Sequence, residues 1–291
     1  MIVLILSMLL KEFREHFRNE LKGQYPKMEI ETFFKLLMSS YFDRDATYIA
    51  LHIAQRLLPN ELELLTAALE MLKNHQPIQY ILKESHFYGR SFFVDERVLI
   101  PRPETEELVQ WILDDLEQID GEGLSLLDVG TGSGCIAVSL AATQQWLEVH
   151  AMDVSAGALA VAKKNAELQG VKLHFFLEDI RSMAPPQAVY DLIVSNPPYV
   201  DPKEKGEMSP HVMKYEPHLA MFFPQGDPLY FYKKIISFAR SALKSQGSMY
   251  FEINPIFSKH LIRELKVGFF ENIEIRCDIF GKQRMLKATK Q

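Results

Sequence analysis

Cysteine is scarce in this 291-residue chain: Cys135 and Cys277 stand alone, with no Cys-x-x-Cys pair. That argues against a disulfide framework or a zinc site and fits a reducing cytoplasm. The nine histidines are scattered, with no cluster at ligand spacing, so no metal is expected. No run is long and apolar enough for a membrane span, which needs roughly 18 residues or more. The N-terminal "MIVLILSMLL" has no basic segment before it and no small-residue cleavage site after it. It reads as the first turns of a buried helix, with Met8 a second candidate start. Basic excess is absent too: 32 Lys and Arg stand against 38 Asp and Glu, a net charge of −6. Phosphate neutralisation needs clustered cations, so duplex DNA or long RNA is disfavoured as the main partner. Internal repeats and low-complexity stretches are also missing.

What is present suits a folded globule. The chain is 47% hydrophobic and 24% charged, which is enough for a sizeable core. Residues 1–82 carry few turn residues and place apolar side chains three and four apart in 30–42, 46–58 and 61–74, the pattern of a small helical bundle. Asp45 is placed to cap the second of these helices, and Pro59 and Pro77 interrupt the runs. Aromatic and β-branched residues around Gly89 in "SHFYGRSFFVDERVLIPRPETEE" (85–107) predict a β-hairpin connector, stiffened by Pro101 and Pro103. From Glu104 onward helices alternate with short apolar strands: "LSLLDVG", "LEVHAMDV", "KLHFFLEDI", "YDLIVS", "SMYFEIN", "NIEIRCDIF" and "RMLKATK". The predicted fold is α/β, a mostly parallel sheet with helices on both faces. Between Val200 and Pro228 a long polar connection reads as a substrate-contacting or lid loop.

"LLDVGTGSGCIAVSLAA" (126–142) is a strand, a glycine-rich turn and a helix. Gly130, Gly132 and Gly134 allow a tight turn and a close approach to a ligand, with Thr131 and Ser133 between them. The nicotinamide fingerprint would require glycine where Cys135 stands, which weakens a Rossmann oxidoreductase reading, and no Gly-Lys-Ser/Thr follows for a nucleotide phosphate loop. The second strand ends in Asp153, a carboxylate able to accept from both hydroxyls of an adenosine ribose. The third ends near Asp179 and Ile180, one able to accept from an adenine amino group and the other to pack on the ring. Three glycines and two acids at successive strand ends converge on an adenosine ligand.

"SNPPY" (195–199) closes the fourth strand. Each proline lacks an N–H and restrains the residue before it, so Asn196 and Pro197 are held extended with uncaptured carbonyls. The Asn196 side chain adds another acceptor, and Tyr199 offers a flat face. Asn196, Pro197, Pro198 and Tyr199 together suit the grip of a planar –NH₂ group, whose nitrogen is otherwise a poor nucleophile. Fixed acceptors on both N–H bonds favour attack on an in-line sulfonium methyl at about 3–3.5 Å.

"NPPY" with "DVGTGSG" resembles the class I S-adenosylmethionine-dependent amino methyltransferases. "PIQYIL" (77–82), "VLIPRPETEELV" (98–109), "MDVSAGALAVAKKNAE" (152–167), "YDLIVSNPPYV" (190–200) and "YEPHLA" (215–220) narrow the resemblance to the release-factor glutamine methyltransferase family (PrmC/HemK). It covers nearly the whole chain, and "PRPETE" is its most specific part. The resemblance implies methylation of the glutamine amide in the Gly-Gly-Gln motif of class I peptide-chain release factors, the proteins of translation termination. It also implies a cytoplasmic protein with no direct nucleic-acid or membrane partner. Gly130–Gly134, Asp153 and Asn196 match cofactor contacts, and Asn196 to Tyr199 match glutamine contacts. The implied organisation is a substrate-recognition domain at 1–82, a hairpin linker at 83–103 and a methyltransferase domain at 104–291. Residues 221–229, 244–255 and 281–284 depart from the family's usual Gly-rich, Pro-Gly-Gly/Glu-Ile-Gly and Gly-Arg-Asp segments. A nucleic-acid amino methyltransferase would need a basic face or a target-recognition domain. An inactive release-factor-binding adaptor would have no use for an intact Asn-Pro-Pro-Tyr array.

Overall fold

The computed structural model describes residues 8–119, 123–224 and 226–291, so most of the apolar N-terminal run read as helix lies outside the described residues. Contacts divide the chain into two units: residues up to Lys83 with Ser209–Tyr215, and Glu84–Met208 with Glu216–Gln291.

The first unit is helical: α1 (Leu10–Leu21), α2 (Lys27–Phe42), α3 (Ala46–Leu51), α4 (Pro59–Lys73) and α5 (Ile78–Leu82). Leu10, Phe13, Phe17 and Leu21 fall three and four apart on α1 and are buried with Phe34 and Leu37 of α2 and Leu65 and Leu69 of α4. The Asp45 side chain accepts from Tyr48 N at 2.7 Å and starts α3. Two expectations fail. Met8 and Leu9 precede α1 rather than extending it, and the helix read over 46–58 stops at Leu51. The reason is common to both. Leu10 N and Lys11 N, first-turn donors of α1 with no partner in their own helix, donate to Gln55 O and Ile53 O at 2.9 Å, and Leu57 N donates to Met8 O at 2.9 Å. A continuous helix through residue 58 would have paired Leu57 N with Ile53 O, and here both are taken by the segment that leads into α1.

The second unit opens with the hairpin β1 (Ser85–Phe87) and β2 (Arg90–Phe92), whose turn residues Tyr88 and Gly89 both have positive φ, as a two-residue hairpin turn demands. There follow α6 (Pro103–Leu116), β3 (Ser125–Val129), α7 (Cys135–Thr143), β4 (Glu148–Asp153), α8 (Ala156–Leu168), β5 (His174–Leu177) and β6 (Tyr190–Ser195). The connection after β6 is not a bare loop. It holds a 3-10 turn (Pro202–Glu207), α9 (Pro210–Tyr215) and α10 (His218–Met221), and α9 belongs to the first unit, where Tyr215 Oη donates to Asn74 O at 3.0 Å. Its ends are pinned in the second unit by Val200 N to Met221 O (2.9 Å) and Phe223 N to Val200 O (3.3 Å). The chain closes with α11 (Tyr230–Ala242), β7 (Leu243–Glu252), α12 (Ser258–Val267), β8 (Phe270–Cys277) and β9 (Gln283–Lys290).

The sheet order is β5-β4-β3-β6-β7-β9-β8. The first five of these strands run parallel, and β9 is antiparallel to β7 and β8. Every residue of β3 is buried, which explains its largely apolar text: Leu126 packs with Trp111, Ile112 and Val138 on one face, Leu127 and Val129 with Tyr232, Ile235 and Leu261 on the other. Each such side chain contributes roughly 1.5–3 kcal/mol by burial. Strand order reverses between β3 and β6, and open α/β sheets bind ligands at that switch, beyond the carboxyl ends of the strands. Among the described residues no helix is long and apolar enough to cross a membrane.

Candidate active site

A cavity sits at the switch point, bordered by the ends of β3, β4, β5 and β6 and by Pro217, Leu219 and Ala220 after β6. Gly130 and Gly132 have φ of +76° and +56°, and a Cβ built on either meets nothing within 4 Å, so both open toward ligand space. The amides of Gly130 and Thr131 donate to Met152 O at 2.9 Å, fastening the turn to β4. Gly134 does something else. It does not line the cavity, and a Cβ there would lie 3.1 Å from Ala162 Cβ and 3.3 Å from Ala162 Cα, so this glycine lets α7 approach α8. Ser133 lines the cavity, and its carbonyl accepts from Asn165 Nδ2 at 2.8 Å. Asn165 is fully buried and also exchanges hydrogen bonds with the backbone of Phe93 at 2.7 and 2.9 Å.

Asp153 lines the cavity. Its Oδ2 accepts from Gly132 N and its Oδ1 from Ser155 N, each at 2.9 Å, which leaves further lone pairs for two hydroxyl donors. Burial pushes its carboxyl up, against the pull of those N–H donors. Asp179 and Ile180 border the same cavity, but the Asp179 carboxylate is also gripped by Arg181, whose Nη2 lies 2.5 Å from Oδ2 and whose Nε lies 2.8 Å from Oδ1. The Arg181 hydrogen bond holds the Asp179 carboxyl below its usual range. Beneath the glycine turn, Asp128 is buried and accepts from Thr131 Oγ1 at 2.7 Å; burial pushes its carboxyl up to about 7.

On the other side, Ser195 Oγ donates to Val129 O at 2.7 Å and ties the end of β6 to β3. Asn196, Pro197 and Pro198 line the cavity. Among the described residues no hydrogen bond ends on the backbone carbonyls of Asn196 or Pro197. Tyr199 does not line the cavity: its ring packs against the core and its hydroxyl donates to Glu252 Oε1 at 2.8 Å. Sequence reasoning assigned no role to Glu252, Thr105 or Glu216. Glu252 is 1% exposed; it accepts from Tyr199 and, through Oε2, from Thr105 Oγ1 at 2.6 Å, and Asn196 Nδ2 donates to Thr105 Oγ1 at 3.3 Å. With the Thr105 proton committed to Glu252, the Thr105 oxygen can only accept from Asn196. That sets the amide so that Asn196 Oδ1 remains a free acceptor. Burial pushes the Glu252 carboxyl up, and the two hydroxyls oppose it. Glu216 is buried as well, accepting from Arg102 Nη2 at 2.6 Å and Ile100 N at 3.3 Å, so it joins the segment after α9 to the "PRPETE" stretch. An acid inside "YEPHLA" and another closing an apolar strand were the only available signals.

The arrangement offers a glycine-lined, carboxylate-edged slot for a nucleoside beside a rigid set of oxygen acceptors. Comparison with known proteins agrees with that chemistry. The family model described as Methyltransferase small domain matches residues 108–214, and that of the PrmC N-terminal domain matches residues 12–82. The Release factor glutamine methyltransferase of Flavobacterium psychrophilum is 42% identical over 283 residues, covering 97% of this chain and 99% of the relative. That of Bacteroides thetaiotaomicron is 39% identical over 279 residues, covering 94% and 98%. Among solved structures, a methyltransferase from Pyrococcus furiosus is 16% identical and aligns with a TM-score of 0.51 over 77% of this chain and 97% of that chain, a likeness of fold alone.

Proposed function

Since this chain belongs to the release factor glutamine methyltransferase family, we propose that it methylates the side-chain amide nitrogen of the glutamine in the Gly-Gly-Gln motif of class I peptide-chain release factors. S-adenosylmethionine is the donor and supplies an electrophilic methyl group on a sulfonium. Two observations fit this donor: the open faces of Gly130 and Gly132, and the spare lone pairs of Asp153 beside them. In this reading Gly130–Ser133 cradle the donor and Asp153 takes its ribose hydroxyls. Ile180 packs at the adenine end, with Asp179 shared between the adenine edge and Arg181.

The observation that carries the amide reading is the pair of uncaptured acceptors at Asn196 and Pro197, beside a Thr105–Glu252 relay that fixes the Asn196 amide. Asn196 Oδ1 and Pro197 O accept the two N–H bonds of the substrate amide. This grip aims the nitrogen and stabilises its N–H groups as they turn acidic during attack. After transfer the nitrogen sheds one proton toward water. Tyr199 acts from behind, anchoring the Pro-Pro turn through Glu252. We assign release-factor binding to the helical unit together with α9, and a cytoplasmic location on the two free thiols, Cys135 and Cys277.

The test is peptide mass spectrometry of a release factor incubated with the protein and S-adenosylmethionine. A 14-dalton gain confined to the Gly-Gly-Gln glutamine is expected, as replacing one hydrogen by methyl requires. An unmodified Gly-Gly-Gln glutamine, or a gain found only on other residues, would overturn the assignment.

A further inference from the structure

Far from the cavity, the amino-terminal ends of β4 and β5 gather three side chains that neither the methyl transfer nor the core uses. We infer that Glu148, His150 and His174 form a binding site for a divalent transition-metal ion of the zinc type. The parallel register sets His150 directly beside His174, with ring centroids 4.8 Å apart, and Glu148 lies two residues before His150 on the same face. Glu148 Oε1 is 3.1 Å from His150 Nε2 and 3.6 Å from His174 Nε2, and one ligand atom from each residue falls within 4.8 Å of the others. A tetrahedral zinc ion with bonds of about 2.0–2.1 Å holds its ligands roughly 3.4 Å apart, so only small side-chain rotations separate this cluster from coordination.

The surroundings favour ligation as well. Tyr190, which is buried, places its hydroxyl 3.5 Å from His150 Nδ1 and meets that ring edge-on, and Phe176 stacks against the same ring. With Nε2 turned to an ion, Nδ1–H points at the phenol oxygen, the kind of outer partner that fixes a ligating imidazole. His174 and Glu148 are more than half exposed, which leaves the ion an approach from solvent and room for water in the remaining position. Sequence spacing hides the set because the two imidazoles lie on different strands 24 residues apart in the chain. An ion here would clip β5, the sheet's edge strand, to β4. It would lie roughly 10–15 Å along β4 from Asp153 and so leave the cavity untouched.

The experiment is calorimetric titration of the chelator-treated full chain with zinc chloride, with thermal unfolding followed in parallel. One zinc per chain is expected, together with a raised melting temperature. His174→Ala and His150→Ala should each weaken binding by about tenfold or more, the effect of losing one of three protein ligands, whereas His86→Ala, at an exposed histidine of β1, should not. His174 is exposed, so its replacement leaves packing intact, and His174→Ala should keep wild-type methyl transfer. Absence of saturable zinc binding, or binding unchanged by His174→Ala, would overturn the proposal whatever the outcome for release-factor methylation.

Discussion

Glu252→Gln keeps the shape of the buried side chain and removes one acceptor. The carboxylate serves two hydroxyl donors, Thr105 at 2.6 Å and Tyr199 at 2.8 Å. A glutamine offers one oxygen and one –NH₂, so it satisfies only one of them. If its oxygen faces Tyr199, its amino group faces Thr105. The Thr105 proton then swings toward Asn196, and the Asn196 amide turns its –NH₂ to the cavity, the wrong polarity for holding a substrate amide. If the glutamine is reversed, the Tyr199 phenol loses its acceptor inside the core. Only the reversed arrangement leaves a buried hydroxyl badly paired, at a cost of about 1–3 kcal/mol, so the first arrangement is favoured. Loss of a correctly aimed acceptor on the reacting amide is worth about 1.5–3 kcal/mol, or roughly 10–100-fold in kcat. Single-turnover transfer of labelled methyl to a release factor, with the donor's Kd measured alongside, separates the effects. The transfer rate should fall by that factor while donor affinity holds, because Glu252 does not line the donor's cavity. Unchanged transfer in a folded Glu252→Gln protein would refute the relay.

Three further outcomes follow from the geometry. Burial raises the Asp128 carboxyl to about 7, so its protonated form stabilises the fold. Stability should fall as pH rises from about 4 through about 7, and the melting-temperature advantage of Asp128→Asn, which cannot ionise, should grow between about pH 5 and pH 8; an advantage independent of pH contradicts this. Gly134→Ala combines a φ of +81° with a 3.1 Å approach to Ala162 and should cost about 1–3 kcal/mol in denaturant unfolding, more than Gly132→Ala, whose Cβ meets no atom. Equal costs would show that α7–α8 packing is not the constraint. Glu216→Ala leaves the Arg102 guanidinium, itself 34% exposed, and Ile100 N without their acceptor, at a cost of about 1–3 kcal/mol. Donor affinity, read by calorimetry, should weaken because Leu219 and Ala220 lose their anchor, and unaltered affinity would contradict that role.

Local chemistry explains what was legible in the sequence. The β3 and β6 strands read as apolar runs because central parallel strands are covered on both faces, and the turn after β3 announced itself through glycines whose φ is positive. β6 pairs with β3, which sets the Asn-Pro-Pro stretch beside the glycine loop. Long-range partnerships had no such signature. Thr105 and Glu252 are 147 residues apart, and Arg102 and Glu216 are 114 apart, so each looked like an ordinary polar residue at an element's edge. Tyr199 reads as a stacking platform from its position after two prolines, yet a buried acid draws its hydroxyl inward. Gly134 carries the same letter as Gly130 and Gly132 but serves helix packing, a distinction that depends on where α8 lies. The helix expected over 46–58 ends at Leu51 as Lys11 N claims the Ile53 carbonyl and Met8 O the Leu57 N–H, a tertiary demand that helical periodicity does not encode.

The most direct measurement is a crystal structure of the protein with a methyl-donor analogue and a Gly-Gly-Gln peptide. The glutamine nitrogen should lie about 2.7–3.2 Å from both Asn196 Oδ1 and Pro197 O, with both N–H bonds directed at those oxygens. A glutamine amide held by other groups, with those two oxygens facing water, would contradict the account.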